Sequence, residues 1–600
     1  MFEFILAFSR NGKVKLPDFL YYDNSFHLEK EIKYGSFYLK YQSFINDKVE
    51  DFYEDDTQIL VLYGSIFSSV NTDLPSQITA SYLAQHANIL NEPEEYLRGN
   101  YAVIKYNKIY DEVDVIIDPL GLKPIYIFEK DNIIYLSSSL WILARLTNTL
   151  NEEGILEILI FGYNITEKTS IQNIHTIENG TKLKLKNGKV NKQKYFNIEQ
   201  LVTLNPRNYD LEELRSLFNN IVNKRINEQN NDKEILVTLT GGNDGRAVLS
   251  SVYYWNRKFK TFSFGMRNGE NTYIPECIAQ KLGFSHYSIY LENSFLEEYF
   301  NNALNTIIFS DGNLSFEQQS TFYAFKKIMP LLNNSLLLTG LIAGEILGPI
   351  HLKNDYFNEH YFNLILNYSQ LDENYLSKHE IFKFINKEFF NKHKEYLLYT
   401  INKRKKQLNE SIKQTGISHL AYYFDLINLG FRKFYGMQMH LIRYYAENLP
   451  VFYDFDIIKF ILSTNYHFIF KNSFKSLRNR WQSRIPQSYI TFKNYPPLGK
   501  LKLDRGFSPE DLLHPIKKYF TFLPYLKRKY VTKPLHPDFD SPNWCLNFLS
   551  KIKFENYADI YFNVLRLREY IKNLQVQKNI YDSEINKMIS IYSFLKELNK

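Results

Sequence analysis

The segment Ile235-Leu-Val-Thr-Leu-Thr240-Gly241-Gly242-Asn243-Asp244-Gly245-Arg246 holds the residues of this chain best spaced for chemistry: an apolar run, two adjacent glycines, a carboxylate, then the helical text AVLSSVYYW. A strand that ends in a Gly-Gly turn and leads into a helix forms an anion site, because glycines let the backbone come close to an oxyanion while the first helical amides point at it. A phosphate suits those amides, and Asp244 beside it suits Mg2+, which bridges phosphate oxygens to one or two protein carboxylates. Taken alone the segment also reads as a plain tight turn, since Gly-Gly and Asn-Asp both favour turns. Neither GxGxxG nor GxxxxGK[ST] occurs in the chain, which argues against dinucleotide binding and ordinary phosphoryl transfer.

A loop of this kind needs a parallel sheet to hold it. The 600 residues exceed what one core organises, so two or three domains are expected. Up to about residue 197 the text is strand-like, in short runs such as FEFILAF, SFYLKYQSF, QILVLYGSIF, YAVIKY, DVIIDP and IYIFEK, and implies a β-rich layered domain. After Pro206 it changes to an amphipathic helix and then to EILVTLTGG and KTFSFG, each followed by helical text, the alternation of a parallel α/β sheet. Beyond about Asn354 nearly everything reads as helix with aromatic stripes, broken by a polar, proline-containing stretch from Pro486 to Pro515.

The balance of 72 Lys and Arg against 65 Asp and Glu leaves +7 spread along the chain, with no basic arm and no Cys/His finger spacing, so nucleic acid is not an expected partner. Cys277 and Cys545 are the two cysteines, which excludes a disulfide framework and fits a reducing cytoplasm. No apolar stretch reaches the roughly 18 residues of a membrane span, and MFEFILAFSRNGK lacks the length and cleavage site of a signal peptide; a soluble, unprocessed protein with no membrane partner is expected.

Thr240-Gly-Gly-Asn-Asp-Gly245 resembles the SGGxDS pyrophosphate loop of the ATP pyrophosphatase superfamily, specifically the asparagine synthetase group with its relatives β-lactam synthetase and lasso-peptide macrocyclase. The later segments keep that group's order: Thr261-Phe-Ser-Phe-Gly265, then IPECIAQKLGFSHYSIYL, then Leu337-Leu-Thr339-Gly340-Leu-Ile-Ala-Gly344-Glu345-Ile-Leu-Gly348 for SGxGxDELxG, and Glu447-Asn-Leu-Pro450-Val-Phe-Tyr-Asp454 for E-x-R-x-PFLD. Lys493 follows a K-x-x-R at Lys475 and Arg478. The resemblance implies ATP held by Leu239, Thr240, Gly241, Gly242, Asn243, Asp244, Gly245 and Arg246, by Ser263, Phe264 and Gly265, and by Gly340. It implies Mg2+ on Asp244 and Glu345, with Glu345 and Lys493 acting in catalysis. Leu97-Arg-Gly99-Asn-Tyr-Ala102, Asp118-Pro-Leu-Gly121-Leu-Lys-Pro124-Ile-Tyr126 and Ser137-Ser-Ser139 resemble the same group's glutaminase domain. The implied architecture is an Ntn-type αββα sandwich over 1–200, a parallel α/β synthetase domain of the adenine nucleotide α-hydrolase kind over 206–510, and a helical extension over 511–600.

Four departures shape the functional expectation. Glutamine hydrolysis in that group uses a cysteine where this chain has Phe2, and no cysteine precedes Cys277. Gly245 stands where the group has Ser, and Leu341 where it has Glu or Tyr beside the attacking amine. The group's metal-binding Asp aligns with Gly344 without a gap, whereas a one-residue shift puts Glu345 in that role; the shift is the reading adopted, and His351 is a further candidate base. The expectation is an AMP-forming ligase that joins a small-molecule or peptide carboxylate to an amine supplied by a source other than glutamine hydrolysis, as a possible homodimer or with a partner protein. The alternative is a catalytically degenerate nucleotide-binding or scaffold homologue.

Overall fold

The computed structural model describes residues 2–9, 14–19, 27–44, 51–226, 234–331, 335–348, 358–471, 482–531, 539–577 and 580–598. His351, Lys475 and Arg478 lie outside the described residues.

The N-terminal half builds two antiparallel sheets from β1 (Glu3–Ser9), β2 (His27–Tyr34), β3 (Phe37–Phe44), β4 (Phe52–Glu54), β5 (Gln58–Ser68), β6 (Leu97–Asn107), β7 (Glu112–Ile117), β8 (Tyr126–Lys130), β9 (Ile133–Ser137), β10 (Ile174–Thr176), β11 (Thr181–Lys186) and β12 (Lys189–Lys194). One sheet runs β10-β8-β9-β1-β3-β2 and the other β12-β11-β7-β6-β5-β4. Side chains alternate across a strand, so Phe4, Leu6 and Phe8 of β1 meet Ile59, Val61 and Tyr63 of β5 in one apolar layer between the sheets. The intervening Ile5 and Ala7 belong instead to the large apolar cluster that also holds the buried residues of helix Glu152–Phe161, and Leu60 and Leu62 pack with Ala80 and Leu83 of helix Ala80–Gln85. Strands covered on both faces read as continuous apolar runs, which is why FEFILAF and QILVLYGSIF stand out in the sequence. The hairpin KLKLKNGKVNKQK does not, being half solvated; its Asn187-Gly188 turn carries φ of 56° and 69°, the left-handed pair that closes a two-residue hairpin.

The second half contains one parallel sheet, β15-β14-β13-β16-β17, from β13 (Glu234–Thr238), β14 (Phe259–Gly265), β15 (His286–Tyr290), β16 (Ser335–Thr339) and β17 (Asn448–Pro450). From β13 the chain adds β14 and β15 on one side, then crosses to add β16 and β17 on the other. The connections leaving β13 and β16 therefore diverge, and the crevice they open beyond the strands' carboxyl ends is where α/β sheets bind ligands. β17 falls in text whose pattern reads as helical; it is three residues long, too short for a period to register. Helix Ile485–Asn494 also corrects the reading of 486–515 as broken stretch: Pro486 sits in its first turn, where the missing N–H costs nothing.

The three segments assigned to separate domains share one apolar cluster, running from Ile5 and Tyr126 through Val237, Val248 and Leu338 to Ile589 and Leu595. Helix Ser583–Leu598 lays Phe594 against Trp141, ring centroids 5.7 Å apart, and accepts the Phe316 N–H on Ser590 Oγ at 3.0 Å. Among the described residues no helix is long and apolar enough to cross a membrane.

Candidate functional site

At the crevice the β13 loop, the start of helix Asp244–Tyr254 and the loop after β16 interleave their backbones. A Cβ on Gly340 would fall 2.5 Å from the Asp244 carbonyl carbon, and one on Gly241 would fall 2.9 Å from Asp504 Cβ. The helix has no side-chain cap. Asn243, at its N-cap, instead donates its amide to Ser488 Oγ at 2.9 Å and to the Arg484 carbonyl at 3.3 Å. The amides of the first turn and the positive end of the dipole are thus left for a ligand.

Gly245 has its own reason to be glycine. A Cβ there would lie 2.4 Å from the Thr238 carbonyl oxygen, a backbone atom that cannot swing away. Gly245→Ser, which restores the resembled motif, is expected to lower stability by about 1–3 kcal/mol through overpacking. Thermal denaturation checks this; an unchanged melting temperature would show that the loop accommodates the hydroxymethyl group.

Behind the loop lies a cavity of about 140 Å³ bordered by Gly242 to Asp244, Gly344 and Glu345, Arg484 and Gln487, and Asp504 and Arg505. Asp244 accepts the Gln487 side-chain N–H on Oδ1 at 3.2 Å. Burial, with a smaller push from Asp504, raises its pKa to about 6 against the opposing pull of Gln487, Arg505 and Arg484. Burial likewise brings Arg484 down to about 10. A Cβ on Gly344 would have Asp244 Oδ2, at 4.0 Å, as its near neighbour, so that position faces the Asp244 carboxylate, and Glu345 borders the same cavity. Just before them Ile342 holds φ at 69°, strained for a β-branched residue and held by full burial of its side chain in the core.

The other expected residues divide. Leu239 is core, its N–H donating to the Phe262 carbonyl at 3.0 Å, and Thr240 Oγ1 receives the Gly242 N–H at 3.3 Å. Ser263, Phe264 and Gly265 end β14 next to the loop, but the Ser263 hydroxyl is taken by His286 Nε2 at 3.1 Å. Arg246 corrects its assignment: fully buried, it donates to the Leu501 and Lys502 carbonyls at 2.8 Å each, so it fastens that segment to the loop and is not among the residues that border this cavity. Lys493 corrects its own. It lies six positions beyond Gln487 on helix Ile485–Asn494, about a third of a turn away round the helix, with its ammonium 5.6 Å over the Tyr489 ring and close enough to Glu212 to lower that carboxyl's pKa. Among the described residues the cations at the cavity are Arg484 and Arg505. With Asp504 and Gln487 they are the residues that sequence reasoning missed; no motif marks them, and only the packing of helix Ile485–Asn494 and the 501–507 segment brings them in.

In the N-terminal half the resembled motif positions serve the scaffold. Asp118 accepts N–H bonds from Tyr101, Leu120 and Gly121 at 3.2, 2.9 and 2.6 Å, which clamps the 118–121 turn to β6. Phe2 is buried among His27, Phe44 and Tyr444, with centroids 4.9, 4.8 and 5.6 Å away. The cavity it borders, with Tyr63, Lys123, Arg443 and Glu447, measures about 20 Å³, room for a single water. Phe2→Cys is therefore expected to release no ammonia from glutamine and to lose about 2–4 kcal/mol of stability, as a large-to-small change in an aromatic cluster. A coupled ammonia assay and a denaturant titration check the two halves, and measurable hydrolysis would sink the idea that this pocket is closed to glutamine.

Residues 81–196 match the family model described as a glutamine amidotransferase domain. Over 229 residues the chain is 22% identical to asparagine synthetase [glutamine-hydrolyzing] 1 of Bacillus subtilis (strain 168), a match covering 36% of this chain and 35% of that protein's length. Two solved structures are also similar: the allosteric regulatory enzyme of purine biosynthesis, at 12% identity and a TM-score of 0.20 over 40% of this chain and 54% of that one, and glutamine phosphoribosylpyrophosphate amidotransferase from B. subtilis, at 9% and 0.19 over 65% and 82%.

Proposed function

We propose that this chain is an ATP-dependent, AMP-forming amide ligase of the asparagine synthetase kind, with an Ntn-type αββα N-terminal half that hydrolyses no glutamine. The observation that carries the reading is the cavity at the switch point between β13 and β16, where an uncapped helix N-terminus, the recessed Asp244 carboxylate and two arginines converge. Phosphate oxygens need amides and guanidinium groups, and a metal bridging them needs an acid; all are within one small volume. The parallel sheet is read as the adenine nucleotide α-hydrolase-like part, with the adenine against the ends of β14.

On this reading the reaction runs in two steps. A substrate carboxylate oxygen attacks the α-phosphorus of ATP, the bond to the bridging oxygen breaks, and pyrophosphate leaves. An amine nitrogen then attacks the acyl carbon, AMP departs and the nitrogen loses a proton. The loop amides, Arg484 and Arg505 stabilise the charge that grows on the leaving pyrophosphate. Mg2+, held by Asp244 and by Glu345 or another acid of the cavity, would neutralise the same phosphate oxygens. Three buried side-chain oxygens without a hydrogen-bond partner border the cavity, on Asn243, Gln487 and Asp504, and these donors fit a hard cation. Burial of Phe2 among aromatic rings supports an amine from a source other than glutamine.

The test is release of AMP and pyrophosphate from ATP and Mg2+ across a panel of peptides with acidic side chains, β-amino acids and sugar acids, each with an amine acceptor. Stoichiometric AMP, pyrophosphate and amide with one of them is the expected result. Binding of a non-hydrolysable ATP analogue without any turnover would favour the nucleotide-binding homologue, and no binding at all would overturn both.

A further inference from the structure

The geometry points to Asp504 as the second carboxylate of a divalent-cation site with Asp244, completed by the side-chain oxygens of Gln487 and Asn243. This inference rests on the ligase reading and goes beyond it, because it moves the second acid from the loop after β16 to the 501–507 segment.

Three buried oxygens that border the cavity have no hydrogen-bond partner: Asn243 Oδ1, Gln487 Oε1 and Asp504 Oδ1. The orientation of both amides follows from their other ends, since Gln487 Nε2 must donate to Asp244, and Asn243 Nδ2 to Ser488 Oγ and the Arg484 carbonyl. Their oxygens are therefore the atoms left over. Gln487 is only 2% exposed, so bulk water does not reach it freely. A buried oxygen without a donor is costly, and several around one small volume that also holds Asp244 make a site short of positive charge. Arg505 does not satisfy Asp504: its Nε stands 3.7 Å from Asp504 Oδ1, beyond a hydrogen bond.

Asp504 is held against the loop by its backbone. Its N–H donates to the Gly241 carbonyl at 2.9 Å, and its Cβ occupies the space that a side chain at 241 would need. Gly241 is thus required for the approach of this acid as well as of an anion. Among the described residues no three His, Cys, Asp or Glu side chains gather as a metal cluster. Two carboxylates with two amide oxygens, and phosphate oxygens and water supplying the rest, is the all-oxygen environment of Mg2+ or Mn2+, not of Zn2+.

The experiment titrates the full chain with Mn2+ alone, reading free Mn2+ by electron paramagnetic resonance, and in parallel with a non-hydrolysable ATP analogue by calorimetry. One Mn2+ is expected per chain. Asp504→Asn should weaken it at least tenfold and Gln487→Leu severalfold, the Asp504→Asn loss exceeding that of Glu345→Gln; circular dichroism of each variant confirms that it folds. Absence of Mn2+ binding in the wild type, an unaffected Asp504→Asn, or a loss confined to Glu345→Gln overturns the inference. If Mn2+ binds as expected and the ATP analogue does not, the cation site stands and the ligase reading falls; the converse result leaves the ligase reading in place.

Discussion

Asp244→Ala is expected to lower ATP-dependent pyrophosphate release by about 10²–10³-fold, the range seen when one preorganised electrostatic group of an active site is removed. The carboxylate sits at the first residue of a helix that has no side-chain cap, borders the cavity, and accepts the side-chain N–H of Gln487. Alanine keeps the helix and removes the acid. Stability should not fall with activity, because burial disfavours the ionised carboxylate and raises its pKa to about 6. The sign is clear: an acid whose folded pKa is raised contributes no stability at neutral pH, so its loss leaves the melting temperature unchanged or higher. Activity retained within tenfold would sink the assignment of Asp244, and activity lost together with the fold would leave the loop as a structural turn.

Asp456→Ala should have the largest effect on stability, about 3–5 kcal/mol, the cost of breaking a buried ion pair from one side. Arg98 Nη2 donates to Asp456 Oδ1 at 2.6 Å, with both side chains 3% exposed. Asp456 also accepts Ser69 Oγ at 3.1 Å and the Val70 N–H at 3.3 Å. Without it the Arg98 guanidinium remains buried, 4.7 Å over the Phe455 ring, with only the Glu94 and Leu97 carbonyls. The pair ties β6 of the N-terminal half to the segment after β17, and a second buried pair, Glu3–Arg443 at 2.7 Å, ties β1 to the segment before it. Glu213→Ala is the contrast, since the Arg207–Glu213 pair is 55% and 42% exposed and its loss should cost less than about 1 kcal/mol. Urea denaturation measures both, and equal small losses would mean that the halves are held by apolar contact alone.

The residues that the sequence marks for chemistry and those that border the cavity overlap only in part. Asp244, Gly241, Gly242, Gly340 and Glu345 were legible because a strand, a glycine turn and a helix start are encoded within a few consecutive residues. Lys493 was legible as a lysine on a helix but not in its direction, because helix Ile485–Asn494 packs Asn243 and Asp244 against its Ser488 and Gln487 side and turns Lys493 toward Glu212. Arg246 sits inside the motif and still serves the scaffold, since its buried guanidinium finds two carbonyls 255 and 256 positions away.

By itself, then, the sequence determined the β-rich N-terminal half, the parallel α/β alternation, the glycine turn between strand and helix with its Asp244, and the absence of a cysteine at Phe2. Each is set by periodicity, glycine placement or residue identity over short stretches. Only the tertiary structure decided that Asp504, Arg484 and Gln487 share a cavity with Asp244, that Phe2 closes its pocket with rings from β2, β3 and Tyr444, and that the last helix completes the common core. Those outcomes depend on how sheet edges and helix faces stack between segments hundreds of residues apart. Packing complementarity of that kind leaves no local period to read.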